Sequence, residues 1–315
     1  MPQRQRPPRL RPGGRLGIVA PSSPIPEPSM TARGVAVLTR LGFETVPAPH
    51  AEAADGHLAG PDADRAADLL LMLERDDIDG VICLRGGMGA IRTAMALDGR
   101  RLAALRERPA KAFIGFSDIT VPHAVLGRAL NWVTFYGPMV ITMGRATPYT
   151  LEAFRRALMA ADPFEIEPDP DDPYVGTVVP GVAEGELVGG CLALLATLVG
   201  TPWEPDYRGK VVFFEDVDED PSQIERFLAQ LLAAGRLQSC AGILIGEHHN
   251  CGRRDPEPML GLERVFSDLL RPLGVPVLYH LPVGHGRHIA TLPIGAPVRL
   301  YASGGRFQVL EGGVS

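Results

Sequence analysis

Cysteine, lysine and aromatic residues are all sparse in this chain of 315 residues. The four cysteines are Cys83, Cys191, Cys240 and Cys251. None forms a C-x-x-C pair, and Cys83 and Cys240 fall in apolar, strand-like runs. This argues against disulfides and metal ligation and for buried free thiols in a reducing compartment. Lysine occurs only at Lys111 and Lys210, so nearly all the basic charge is arginine. The net charge is −6, which implies no nucleic-acid surface. No apolar run reaches transmembrane length. The first fourteen residues are rich in Pro and Arg, with no apolar segment behind them. They read as a disordered basic tail (1–14) rather than a secretory signal. The expected protein is cytoplasmic, with no membrane or nucleic-acid partner.

What is present is a regular alternation of strand and helix signals. Strands are expected at Leu16–Ala20, Glu44–Val46, Val81–Leu84, Ala112–Phe116 and Val133–Tyr136. Helical patterns lie between them, one of which Ser29 can cap. This predicts a parallel, doubly wound sheet over residues 15–160. A Pro- and Asp-rich stretch, 161–176, reads as a linker. Residues 177–315 then form a second α/β domain. Its last strands, Ala290–Leu292, Pro297–Tyr301 and Phe307–Leu310, are expected to be one antiparallel group.

The stretch Ala112–Arg128 carries the strongest chemical signal. A buried apolar strand runs into a helix headed by Asp118, so Ser117 sits in a strand-to-helix turn. A hydroxyl there can stand above a parallel sheet, beside backbone N–H groups able to hold an anion. The motif is not a full G-x-S-x-G, because Ile119 replaces the second glycine. The competing reading is Ser117 as an ordinary helix N-cap. A serine nucleophile needs a base and an orienting acid. His50 and His57 lie in a polar loop, His123 follows Ser117 on its helix, and His248–His249 and His280 lie at strand ends. His285 and His288 lie in a glycine-rich segment. Glu215 and Asp216 end a strand, where ligands bind in parallel sheets. Spacing alone does not choose among these. A zinc site from His248, His249 and Asp255 is a weak alternative, since adjacent histidines rarely converge on one metal and no H-E-x-x-H is present.

Several short motifs occur together, in order, from about Leu16 to Leu310. They are Arg85-Gly86-Gly87-x-Gly89, Gly115-Phe116-Ser117-Asp118-Ile119-Thr120, Gly137-Pro138, Gly189-Gly190, Gly200-Thr201-Pro202, Phe214-Glu215-Asp216-Val217 and Gly284-His285. With these the sequence resembles the serine L,D-carboxypeptidase family, which includes muramoyl-tetrapeptide carboxypeptidase and the microcin C immunity peptidase. The resemblance implies a flavodoxin-like N-terminal domain carrying the serine, and a swivelling-type C-terminal α/β domain with a mixed sheet. It implies Ser117 as nucleophile, His285 as general base and acid, and Glu215 as the carboxylate that orients it. The oxyanion donors would be the backbone N–H groups of Asp118 and of the Gly86–Gly87 turn, assigned to Gly87. Arg85 is the candidate for the substrate's terminal carboxylate, with Met88 lining the same pocket. The acids from Asp216 to Asp220 are either a solvated loop or a reader of a substrate amine.

No cofactor or metal is implied; the expected partners are a peptide substrate and, from the family, a second copy in a homodimer. Three positions depart from the family pattern: Met88 where Tyr is common, Cys191 where Asn follows the two glycines, and Ser222 where an aromatic is common. The leading expectation is release of the terminal D-Ala of murein tetrapeptide in peptidoglycan recycling. The alternatives are a microcin-immunity-type peptidase cutting a peptidyl or aminoacyl nucleotide, and a non-catalytic binding domain on the same fold.

Overall fold

The computed structural model describes residues 4–252 and 260–315. The chain divides into two compact units: residues 1–161, 291–295 and 312–315, and residues 162–290 and 296–311.

The first unit is built on a parallel sheet. Its elements are β1 (Arg15–Val19), α1 (Pro28–Arg40), β2 (Glu44–Pro47), α2 (Asp62–Glu74), β3 (Gly80–Cys83), α3 (Ala90–Ala96), α4 (Gly99–Ala104), β4 (Ala112–Gly115), α5 (Thr120–Leu130), β5 (Thr134–Tyr136), α6 (Val140–Met143) and α7 (Pro148–Met159). The parallel strand order is β2-β1-β3-β4-β5, the flavodoxin-like order. β3 and β4 lie near its centre and are buried along their whole length, which is why both read as unbroken apolar runs. Ser29 does not cap α1: the helix starts at Pro28 after Glu27, and no side chain caps it.

The second unit contributes β6 (Phe164–Glu165), β7 (Gly176–Val179), β8 (Val182–Cys191), α8 (Leu192–Thr197), β9 (Val211–Val217), α9 (Pro221–Ala233), β10 (Gly242–His249), α10 (Leu262–Leu270) and β11 (Val277–Tyr279). Strand β12 (Leu292–Ile294) belongs to the first unit, and β13 (Pro297–Tyr301) and β14 (Arg306–Val309) return to the second. The eight-stranded sheet has the order β6-β14-β13-β8-β9-β10-β11-β7. The four central strands β8 to β11 are parallel and the flanking ones antiparallel. Alternation along β9 divides its side chains between two faces. Val212 and Phe214 pack with Leu192, Leu195, Ile224, Leu228 and Phe266 of the helices. Glu215 lies on the opposite face.

Three expectations need correction. The basic segment before β1 is not disordered over its described part. Gln5 bonds backbone to backbone with Asn131 and Val133, Arg9 and Pro7 pair with Ser315, and the Leu10 N–H reaches the Leu158 carbonyl at 2.8 Å. Leu10 is 2% exposed and Pro7 is buried as well, so apolar burial joins these backbone bonds in holding the segment. Residues 161–176 are not a free linker, because β6 within them pairs with β14. The C-terminal strands do not form one group: β12 pairs antiparallel with β5 while β13 and β14 pair with each other. Pairing partners of short strands are set by tertiary contact, which local pattern does not encode.

If the segment before β1 is an integral part of the first unit, Leu10→Ala should cost about 2–5 kcal/mol. A urea titration of the two proteins reads this directly, and an unchanged midpoint would restore the disordered tail.

Candidate active site

In the first unit, the loops after β1, β3, β4 and β5 all leave the carboxyl edge of the parallel sheet, where doubly wound folds bind ligands. Ser117 stands at that edge, in a 3₁₀ turn between β4 and α5. Its φ is +66°, the left-handed region that a non-glycine residue enters at a cost of about 1–3 kcal/mol. The turn is held from below. Ser117 N–H donates to the Tyr136 Oη at 3.0 Å, and the Ser117 carbonyl accepts the Thr120 hydroxyl at 2.7 Å. Ser117 caps no helix, so the N-cap reading falls away.

The Gly86–Gly87 turn lies directly against the serine. A methyl group at Gly86 would sit 3.2 Å from Ser117 Oγ and 3.0 Å from its Cβ. Gly87 has φ +118° and packs on Ser23, whose Oγ accepts the Met88 N–H at 3.0 Å. The Asp118 side chain clamps the same turn. One carboxylate oxygen accepts the Ser22 hydroxyl and, at 2.8 Å, the Ala90 N–H. Burial pushes the Asp118 carboxyl up against the pull of these donors. Beneath it the Arg65 guanidinium, 2% exposed, donates to the Pro21, Gly60 and Gly89 carbonyls.

Arg85 folds back on its own loop, donating to the Gly86 carbonyl at 3.2 Å and the Pro24 carbonyl at 3.0 Å. Among the described residues it makes no ion pair with a carboxylate, and half-burial lowers its pKa. Met88 beside it is 65% exposed, so its thioether is available to a ligand.

In the second unit the candidates separate by strand parity. Glu215 is fully buried, and its Oε2 lies 2.7 Å from His285 Nδ1. Burial alone would lower the imidazole pKa, but the Glu215 charge and hydrogen bond, with Asp216 and Asp218 behind them, leave it raised. The turn carrying His285 comes close because Gly284 has φ +124° and no side chain: a Cβ there would strike the Glu215 carboxylate. Asp216 points the other way, to the start of α8, where it accepts the Ala193 N–H at 2.9 Å, and it accepts the N–H of its neighbour Val217 at 2.9 Å. Burial and the neighbouring Glu215 charge push it up to about 6. Cys191 donates its thiol to Asp216 at 3.5 Å.

The remaining histidines take other roles. His123 is core: it bonds the Gly115 carbonyl at 2.9 Å, and burial pushes it down to about 4. His248 packs edge-on to Phe214 and Phe266 and is likewise pushed by burial to about 4, while His249 is exposed. Neighbours on a strand face opposite ways, so the two do not converge on a metal; Asp255 lies outside the described residues. Asp169, Asp171 and His288 do converge. Arg287 already bonds Asp171 at 2.7 Å, and Asp169 Oδ1 caps the Asp171 and Asp172 amides, so protein donors occupy these carboxylates.

Comparison with known proteins gives this geometry a family. Residues 16–137 match the model of the LD-carboxypeptidase N-terminal domain and residues 184–300 that of the LD-carboxypeptidase C-terminal domain. The chain belongs to the LD-carboxypeptidase family. It is therefore a hydrolase of the serine carboxypeptidase type. It is 37% identical to a probable murein peptide carboxypeptidase of Bacillus subtilis over 98% of this chain and 95% of that one. It is 32% identical to a murein tetrapeptide carboxypeptidase of Pseudomonas aeruginosa over 90% and 91%. The crystal structure of a muramoyltetrapeptide carboxypeptidase from Oxalobacter formigenes superposes with a TM-score of 0.80 at 30% identity, covering 95% of this chain and 98% of that one.

Several residues that shape the candidate site of this carboxypeptidase escape a linear reading. Ser22 and Ser23 look like turn residues between prolines, and Tyr136 looks like a strand end. The GEHHNCG segment draws the eye to its histidines rather than to Glu247. The bracketing of two serines by prolines at a strand's carboxyl end was the available signal for the first pair.

Glu215→Gln removes the charge that favours the imidazolium and leaves the burial that opposes it. The His285 pKa should then fall. Histidine NMR titration measures this, and an unmoved His285 would show that Glu215 does not set its protonation.

Proposed function

We propose that this carboxypeptidase releases the terminal D-alanine of murein tetrapeptide in the cytoplasm, as a step of peptidoglycan recycling, through a Ser117–Glu215–His285 acyl-enzyme mechanism. The observation that carries the mechanism is the buried Glu215–His285 pair at 2.7 Å, the arrangement that fixes one imidazole tautomer and stabilises the imidazolium. Ser117 supports it as a half-buried hydroxyl on a left-handed turn beneath a glycine loop. The substrate rests on the relatives of P. aeruginosa and O. formigenes, whose names carry murein tetrapeptide and muramoyltetrapeptide. Four buried thiols, none in a disulfide, fit a reducing compartment.

In this reading the Ser117 oxygen attacks the scissile carbonyl carbon as His285 takes its proton. The carbonyl oxygen becomes an oxyanion held by the Asp118 and Gly87 N–H groups, each such donor being worth about 3 kcal/mol of barrier. Collapse of that intermediate breaks the C–N bond, and His285 hands the proton to the leaving amine. Water then attacks the serine ester with His285 as base, and the Ser117 hydroxyl is restored. Because His285 must be neutral to act, the acid limb of kcat/KM lies above the ordinary histidine value of 6.5. Arg85, a half-buried cation with no carboxylate partner among the described residues, receives the substrate's terminal carboxylate. Met88 lies beside it as an apolar wall.

Mass spectrometry of murein tetrapeptide incubated with the protein should show loss of one D-alanine, abolished in Ser117→Ala. Wild-type turnover by that variant would remove the serine from the mechanism, and an inert wild type would sink the substrate. Arg85→Gln should raise KM by about tenfold or more while largely sparing kcat, since it removes a charge-assisted contact present before and during the reaction.

A further inference from the structure

The mechanism leaves Glu247 of the second unit without a role. Glu247 lies near the end of β10, two residues after Ile245, which pairs with Phe214 of β9. Its main chain is tied to the turn that carries the histidine, the Glu247 N–H donating to the Val283 carbonyl at 2.9 Å. Its side chain returns to the same turn from the other end. The carboxylate lies against Gly286, whose amide draws its pKa down against burial, and a Cβ on Gly286 would fall inside it. Glu247 therefore holds the segment Val283–Gly286 at both ends, with His285 between them. The second carboxylate oxygen, Oε2, is buried and has no hydrogen-bond partner among the described residues. A buried carboxylate oxygen left so is costly, so its place against the turn is bought at the expense of desolvation.

We propose that Glu247 is a positioning residue for His285: it clamps the glycine-flanked turn to the end of β10 and so keeps the imidazole on Glu215. The proposal rests on the reading of His285 as the base. The surroundings of both groups fit it. Glu247 faces Asp169 from the loop after β6, Glu215 from β9, and His285 and the Gly286 amide from the turn after β11. Burial, with Asp169 and Glu215 adding to it, raises the Glu247 carboxyl to about 7. His285 faces Glu215, Asp216 and Asp218 from β9 and the loop that follows it. As Glu247 ionises it adds a negative charge near the imidazole, so the two groups titrate as a pair. The charge favours the imidazolium, so wild-type His285 holds its proton to higher pH than it would beside a neutral residue.

The test compares Glu247→Gln and Glu247→Ala with wild type, by NMR of histidine-labelled protein and by kcat and KM on murein tetrapeptide. His285→Gln identifies the His285 signal. Glutamine keeps an acceptor for the Gly286 amide and loses the charge. It should keep kcat within about threefold and move the His285 titration to lower pH. Alanine frees the turn. It should lose the hydrogen-bonded Nδ1 proton signal and lower kcat by about tenfold to a hundredfold with KM little changed, the cost of a base misplaced by about an ångström. An alanine variant that keeps both the proton signal and kcat overturns the proposal. So does a glutamine variant whose His285 titrates as in wild type, and this arm still decides if the alanine variant fails to fold. The NMR arm needs no turnover: if His285→Gln proved fully active, the base assignment would fall while the clamp would still be judged by the His285 signal.

Discussion

A carboxylate with no solvent exposure governs the second unit. Burying the Glu215 charge costs several kcal/mol unless a partner and hydrogen bonds offset it. The chain meets that demand with the His285 imidazole at 2.7 Å, brought close by Gly284, where a side chain would strike the Glu215 carboxylate. The demand explains otherwise unrelated features. It accounts for the left-handed backbone at Gly284, the close approach of the turn after β11 to β9, and the raised basicity of an imidazole that burial alone would acidify. In the proposed mechanism the catalytic pair and a folding constraint are the same contact.

The first unit solves a parallel problem with an acid of another role. Asp118 follows Ser117, but its side chain turns down to the Ala90 amide and the Ser22 hydroxyl. It joins the loops after β1 and β3 to the turn after β4. Arg65 performs the same service with a cation, gathering carbonyls from three segments. A strained Ser117 persists because these buried contacts over-determine the loops around it. The site's rigidity thus comes from side chains that touch no substrate in the proposed mechanism.

Of the departures from the family pattern, two can be read. Cys191 fills its position at the end of β8 as a thiol donor to Asp216, in register with Glu215. Burial pushes that thiol well above its usual pKa, so it is a packing group and not a second nucleophile. Met88 exposes an adaptable apolar side chain at the glycine turn. Nothing in the structure explains Ser222.

Much of the architecture was legible in the linear chain. The apolar runs at Val81 and Ala112 marked central parallel strands because strands covered on both faces need no polar alternation. The Ser117 turn was legible because strand and helix periods meet there, and the ordered motifs named the family. Other features were closed to local reading. Glu215 and Asp216 are adjacent and chemically alike, and only the parity of β9 in its sheet turns one to the histidine and the other to the start of α8. Leu10 among prolines and arginines looked like tail, and β12 looked like a neighbour of β13, because partners distant in sequence decide both. Glu247 was one acid among many until the fold set it beside Gly286. Sequence by itself determined the residue types, their order and the elements they form. Tertiary structure decided which carboxylates lose their water and which backbone donors they meet, because desolvation and hydrogen bonding depend on neighbours that only the folded chain supplies.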